Sequence, residues 1–210
     1  DGTCRLDDVL KAAQADGQPA LAITDLNNLF GGLKFYKSAR SKGVKPVLGA
    51  ELVMQPQGDE GETRLLVLVQ NHQGYLNLSE ILARAWTQPL GKTQTQAQVA
   101  WAWLQELHAG LIVLSGAHTG LVGQALLRGD AATASRHALA LAEMFPHRFY
   151  LELQRAGRPD DERMVVATVQ LAARLSLPVV ATHPAQFLET DDYEAHEARV
   201  CMGGLASRLE

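Results

Sequence analysis

The sequence predicts an α/β fold, read as a barrel of repeated strand–helix units. Two observations carry this. Nearly all-apolar, partly β-branched runs of about five residues recur along the chain, as strands buried on both faces of a parallel sheet do. Amphipathic stretches, with apolar residues three and four apart, alternate with them. No repeat or convincing linker interrupts the pattern, so the 210 residues read as a single domain. The same pattern also fits an open doubly wound sheet, and it does not by itself separate the two architectures.

The elements follow in order. A first helix is expected from Asp7 to Ala15, where Val9, Leu10 and Ala13 share a face and Gly17 follows as a C-terminal stop. The run Ala20 to Thr24 is the first strand, and a helix from Leu33 to Ser41 ends at Lys42 and Gly43. Pro46 to Met54 and Arg64 to Val69 are strands, joined by a turn from Gln55 to Glu62 short enough for them to pair antiparallel. A helix from Leu76 to Trp86 leads into a polar loop, Thr87 to Gln98, and then a helix from Val99 to Leu107. The rest alternates: strand Leu111 to Ser115, helix Thr133 to Phe145, strand Phe149 to Leu153, helix Asp161 to Leu175, strand Pro178 to Thr182, and a closing helix from Asp191 to Met202.

Composition narrows the function classes. At 47% hydrophobic and 20% charged the chain is ordinarily globular, and it is long enough to bury a core without covalent staples. A net charge of −4 argues against a general nucleic-acid-binding surface. Cys4 and Cys201 are too few and too distant in sequence for a disulfide framework, so a reducing cytoplasm is expected. Neither a membrane-spanning apolar run nor a signal peptide is visible, and the missing initial Met points to a piece of a longer chain.

The segment Pro178-Val-Val-Ala-Thr-His-Pro-Ala-Gln-Phe-Leu188 resembles the last strand and following loop of the PHP (polymerase and histidinol phosphatase) domain. So, in order and spacing, do Ala22-Ile-Thr-Asp25, Leu33-Lys-Phe-Tyr36, Lys45-Pro-Val47, Gly74-Tyr-Leu-Asn-Leu78, Leu114-Ser-Gly116, Leu126-Leu-Arg-Gly129, Tyr150-Leu-Glu-Leu153 and Gly157-Arg-Pro159. The subtype they resemble is the PHP domain of the bacterial DNA polymerase III alpha subunit. The resemblance implies a distorted (β/α)7 barrel over residues 1–210, with a first strand that would lie before Asp1. It also implies a metal site at the C-terminal strand ends. Position by position, that ligand set is mostly gone. Asp1 and Glu51 keep ligating side chains, while the other checkable positions have become Leu26, Arg64, Ala117, Pro184 and Gln186. Leucine, alanine and proline offer no donor, and a guanidinium repels a cation.

No catalytic residue, metal or other cofactor is therefore expected in this domain, although the parent polymerase would use Mg. Arg64 is expected to pair with Glu51 or another mouth carboxylate as a substitute for metal. Three further residues are candidates at the barrel mouth. Asp25 is expected to hold the turn after the first strand. His183 is either a replacement ligand or a solvated side chain, and His196 either reaches the mouth or packs and caps. The other histidines, His118 among them, are expected to be solvated. Trp101 and Trp103 cannot both face one side of a helix, so one is either exposed as a partner anchor or, as the better expectation, partly buried in the core, and Asp191-Asp192 is expected to cap the last helix. The absent first strand predicts two open edges, at residues 20–24 and 178–182, that invite dimerisation, infilling or poor solubility.

The implied function is that of a structural module in DNA replication, supporting the polymerase and docking the proofreading exonuclease subunit, with no membrane and no direct DNA contact. The competing readings are a metal-dependent PHP phosphoesterase or a 3'-5' proofreading nuclease, and an unrelated α/β binding protein.

Overall fold

A computed structural model describes residues 4–56, 61–90 and 97–204. Its elements are α1 (Leu6–Ala15), β1 (Ala20–Leu26), α2 (Gly32–Ser41), β2 (Lys45–Met54), β3 (Thr63–Val69), α3 (His72–Thr87), α4 (Trp101–Glu106), β4 (Leu111–Leu114), α5 (Leu121–Leu127), α6 (Ala131–Met144), β5 (Phe149–Leu153), α7 (Asp161–Leu175), β6 (Val179–Ala181) and α8 (Tyr193–Gly204). The six strands form one curled half-barrel sheet in sequence order, β1 to β6. The pairs β1–β2, β4–β5 and β5–β6 are parallel. β3 runs antiparallel to both β2 and β4, as the short turn before it predicts. All strands but β3 therefore point their C-terminal ends to one rim, and β3 brings its N-terminal end there.

The main core lies between the sheet and α3 to α7, built from Leu52, Met54, Leu65, Leu78, Ile81, Leu104, Phe145, Leu151 and their neighbours. A smaller cluster, Leu10, Phe35, Ala39 and Val44, packs α1 and α2 over β1 and β2. Helix stops follow the sequence logic, since Gly17 and Gly43 adopt positive φ just beyond α1 and α2. α5 escapes the sequence reading because it is short and interrupted by Gly123. That glycine lets the helix lie on the backbone of Ala117, where a Cβ would meet the carbonyl oxygen at 1.8 Å.

β1 and β6 are the two sheet edges, and no described segment pairs with the outer side of either. The expectation that the last strand is buried on both faces fails for this reason. Val179 and Ala181 are exposed because β6 has a neighbour on one side only. Trp101 and Trp103 are both half-buried against the main core, and the exposed tryptophan is Trp86. Asp192 does cap, but through a 3-10 turn at Thr190–Asp192 that precedes α8, where its side chain accepts from the Glu189 N–H.

The turn after β1 is held by asparagines rather than by Asp25. Asn28 accepts from the Phe30 N–H and donates to the Leu26 carbonyl, whereas Asp25 makes no hydrogen bond with a described residue. Buried Asn27, in the left-handed region at φ 50°, accepts from Val53 N–H and donates to the Ala97 carbonyl, and its own carbonyl receives the Trp86 indole N–H. Its side chain ties β2 to the strand of chain entering α4. Asn27→Ala leaves both buried backbone groups unpaired and places a Cβ residue without a compensating amide in the left-handed region. A loss of about 3 kcal/mol in urea unfolding is expected. A loss under about 0.5 kcal/mol would show that water replaces the amide there.

Candidate functional site: the rim of the half-barrel

The pairing register places Glu51 and Arg64 on one face. Arg64 lies directly opposite Val53 in the antiparallel β2–β3 ladder, and Glu51 is two residues before Val53. Directly opposed residues share a face, as do residues two apart, so Arg64 is the diagonal neighbour of Glu51. One Nη1 of Arg64 donates to Glu51 Oε2 at 3.2 Å, and Nε lies 3.5 Å from Glu62 Oε1. The Arg64 and Glu51 side chains are each 31% exposed, partly withdrawn from water. The expected pairing is present, with Glu62 as a second carboxylate that the sequence reading did not name.

A second cluster adjoins it. Glu152, at 4% exposure, ends a carboxylate inside the otherwise apolar strand β5. Its Oε2 accepts the Gly116 N–H at 2.6 Å, its Oε1 accepts the Thr182 hydroxyl at 2.8 Å, and its own N–H donates to the Ser115 hydroxyl. Gln154 donates to Thr182 in turn. β4, β5 and β6 are thus cross-linked at the rim through one acid. Gly116 makes this geometry available: at φ 78°, a Cβ there would lie 2.2 Å from the Arg64 carbonyl oxygen. Burial pushes the Glu152 carboxyl above its ordinary range, with nearby Glu51 adding to the rise, while the bonds from Thr182 and Gly116 oppose it.

The remaining sequence candidates separate. Leu26 stands opposite Glu51 in the β1–β2 register, and Ala117 is buried in a tight turn after Gly116. Pro184 follows β6, and Gln186 and His183 are exposed. Asp1 lies outside the described residues. His196, half-buried on α8, packs with its ring tilted against that of Phe187, the centroids 5.6 Å apart. His118 corrects the solvated reading. Its side chain is only 11% exposed, and its Nε2 lies 3.4 Å from Asp161 Oδ1. Burial holds its imidazole below the ordinary value, Arg158 adds to this, and Asp161 opposes it. Burial alone would raise Asp161, but the amide donors of Ala156 and Arg158 outweigh it and hold the carboxyl below its usual range. His118 and Asp161 come from a turn and a helix start 43 positions apart, so sequence spacing gives no hint of them. Glu152 did leave a signal, a charge inside a strand run.

Do these groups fit the metal site the fold implies? They do not. Glu51 is committed to a cation, Leu26, Ala117 and Pro184 have no donor, and no group of three or more His, Cys, Asp or Glu able to hold a metal occurs among the described residues.

The PHP domain family matches residues 1–156, and the chain belongs to that family. Within it, the similarity is to DNA polymerase III subunit alpha: 46% identity to that of Neisseria meningitidis serogroup A, covering 97% of this chain and 18% of the relative. The Escherichia coli K12 subunit is 43% identical, over 96% of this chain and 17% of the relative. The chain thus spans under a fifth of these relatives. A solved amidohydrolase from Chromobacterium violaceum shares the fold, with TM-score 0.54 and 14% identity over 95% of this chain and 93% of that one.

The protonation of Glu152 yields a pH signature. Its folded pKa is raised above the unfolded value near 4.5, so the folded state holds the proton more tightly. The stability contributed by that proton is present below the unfolded pKa and is lost as pH rises through the folded one. Glu152→Gln keeps a neutral acceptor there, so the stability of the variant relative to wild type should grow as pH is raised from about 4 to 7. Urea unfolding at stepped pH measures this, and a pH-independent difference would contradict it.

Proposed function

We propose that this chain is the PHP module of a bacterial replicative DNA polymerase III alpha subunit and that it acts as a structural support rather than a metal-dependent catalyst. The observation that carries this reading is Arg64. A guanidinium sits within 3.2 Å of the one carboxylate retained, among the described residues, from the ligand set the family implies. It neutralises that acid as a cation would, and it adds directional hydrogen bonds. In this reading the parent protein polymerises DNA with magnesium held by carboxylates elsewhere in its sequence. The module braces the polymerase body and docks the proofreading exonuclease subunit, all in the cytoplasm. Among the described residues no helix is long and apolar enough to cross a membrane.

A phosphoesterase or 3'-5' nuclease would need two or three metal ions held by several hard or borderline donors. The rim offers a paired acid and a buried acid whose oxygens already accept hydrogen bonds. Nothing in the geometry favours that alternative.

Elemental analysis of chain purified without chelator should find no stoichiometric zinc, manganese or iron, and added chelator should leave the melting temperature unchanged. Two or more ions per chain, or a chelator-induced fall in melting temperature, would overturn the structural reading.

A further inference from the structure

The outer face of α2 is built differently from the rest of the surface. Residues 27–50 contain Lys34, Lys37, Arg40, Lys42 and Lys45 and no Asp or Glu, in a chain whose net charge is −4. Among them lie three exposed apolar or aromatic side chains: Phe30 at 88%, Leu33 at 67% and Tyr36 at 39%. Leu33, Tyr36, Lys37 and Arg40 fall at the three-, four- and seven-residue spacing that makes one helix face, and Phe30 precedes them by a turn. The opposite face, Phe35 and Ala39, is the one buried against β1 and β2. Burial of this helix therefore leaves an apolar stripe in water for no purpose of its own core.

The charges divide in two. Lys42 lies 3.8 Å from Asp7 of α1, and Lys34 also stands near that acid. Lys37, Arg40 and Lys45 make no ion pair with a described residue. Arg40 is instead held in place, donating to the Tyr36 hydroxyl at 3.0 Å with its guanidinium over the ring. Below it, Pro19, Tyr36, Arg40, Val44, Lys45 and Pro46 line an open groove of about 460 Å³.

We propose that this α2 face docks an acidic protein segment that carries an apolar anchor. Charge complementarity selects the occupant. Unpaired cations flank the stripe, so a partner with interspersed Asp and Glu is steered to it and a basic one is repelled. The pre-placed Arg40 and Tyr36 lose little side-chain freedom on binding, and aromatic and arginine side chains are those that anchor interfaces. A single-stranded nucleic acid fits less well. Leu33, central in the stripe, has no π-face for a base to stack on, and the chain as a whole is acidic. The proposal stands apart from the replicative reading above: its failure would leave that reading untouched, because none of these residues bonds to Glu51, Arg64 or Glu152.

A random dodecapeptide display library selected on the full chain tests it. The expected consensus is net negative with an aromatic or aliphatic residue, and a synthetic labelled copy should bind with an affinity that falls as salt rises. Anisotropy titrations should show Leu33→Ser and the double variant Lys37→Glu/Arg40→Glu each weakening that peptide about tenfold or more, with Arg136→Glu on α6 within about twofold. The substituted side chains are exposed, so melting temperatures should match wild type, and Phe30→Ser serves if one variant does not fold. No consensus, a consensus without acidic residues, or binding indifferent to these substitutions would overturn the proposal. So would labelled oligo-dT that binds this face and is lost with the same variants.

Discussion

The direction of β3 governs the rest of the rim. In a sheet whose other strands all run one way, every C-terminal strand end arrives at the same side. Because β3 is reversed, the residue it brings there is its second, Arg64, and not its last. Only eight residues separate β2 from β3, and a parallel return would need a crossover of a dozen or more. Once β3 is reversed and its register set by the apolar alternation of Leu65 and Val67, Arg64 has to lie diagonal to Glu51. The ion pair is therefore a result of topology as much as of side-chain chemistry.

From that pairing the rim builds outward through side-chain and backbone contacts. Arg64 neutralises Glu51 and approaches Glu62, while its carbonyl packs against Gly116. Gly116 turns its N–H to Glu152, and Glu152 reaches Thr182 on the strand-end beyond. One ion pair, a close backbone contact and hydrogen bonds thus connect β2 through β6. Each link is modest, yet a buried acid left without its donors is expensive, so the chain of contacts fixes the strand ends more firmly than any single bond would.

Much of this was legible in the sequence. All six strands and the seven longer or better-marked helices were placed within a few residues, because apolar runs, periodicity and glycine stops are local signals. The Arg64–Glu51 pair could be anticipated because a cationic side chain replaced a position that the resemblance assigned to a ligand. Other features depended on assembly. The exposure of β6 follows from its having one neighbour, which no local pattern records. His118 was misread as solvated because its burial comes from α7, distant in sequence. The turn after β1 was credited to Asp25, whereas Asn27 and Asn28 hold it, and sequence alone does not say which of three closely spaced polar residues points inward. Glu152 was overlooked although a charge in an apolar strand is itself a signal.

The central claim is that the Arg64 side chain holds the rim by acting on Glu51. A double-mutant cycle of Arg64→Ala and Glu51→Gln, followed by urea unfolding, measures that action directly. Both groups are nearly a third exposed, so solvent screening limits the expected coupling to about 1 kcal/mol at low salt, smaller at high salt. Additive single losses, with no coupling at low salt, would contradict the account and leave Arg64 a bystander at the rim.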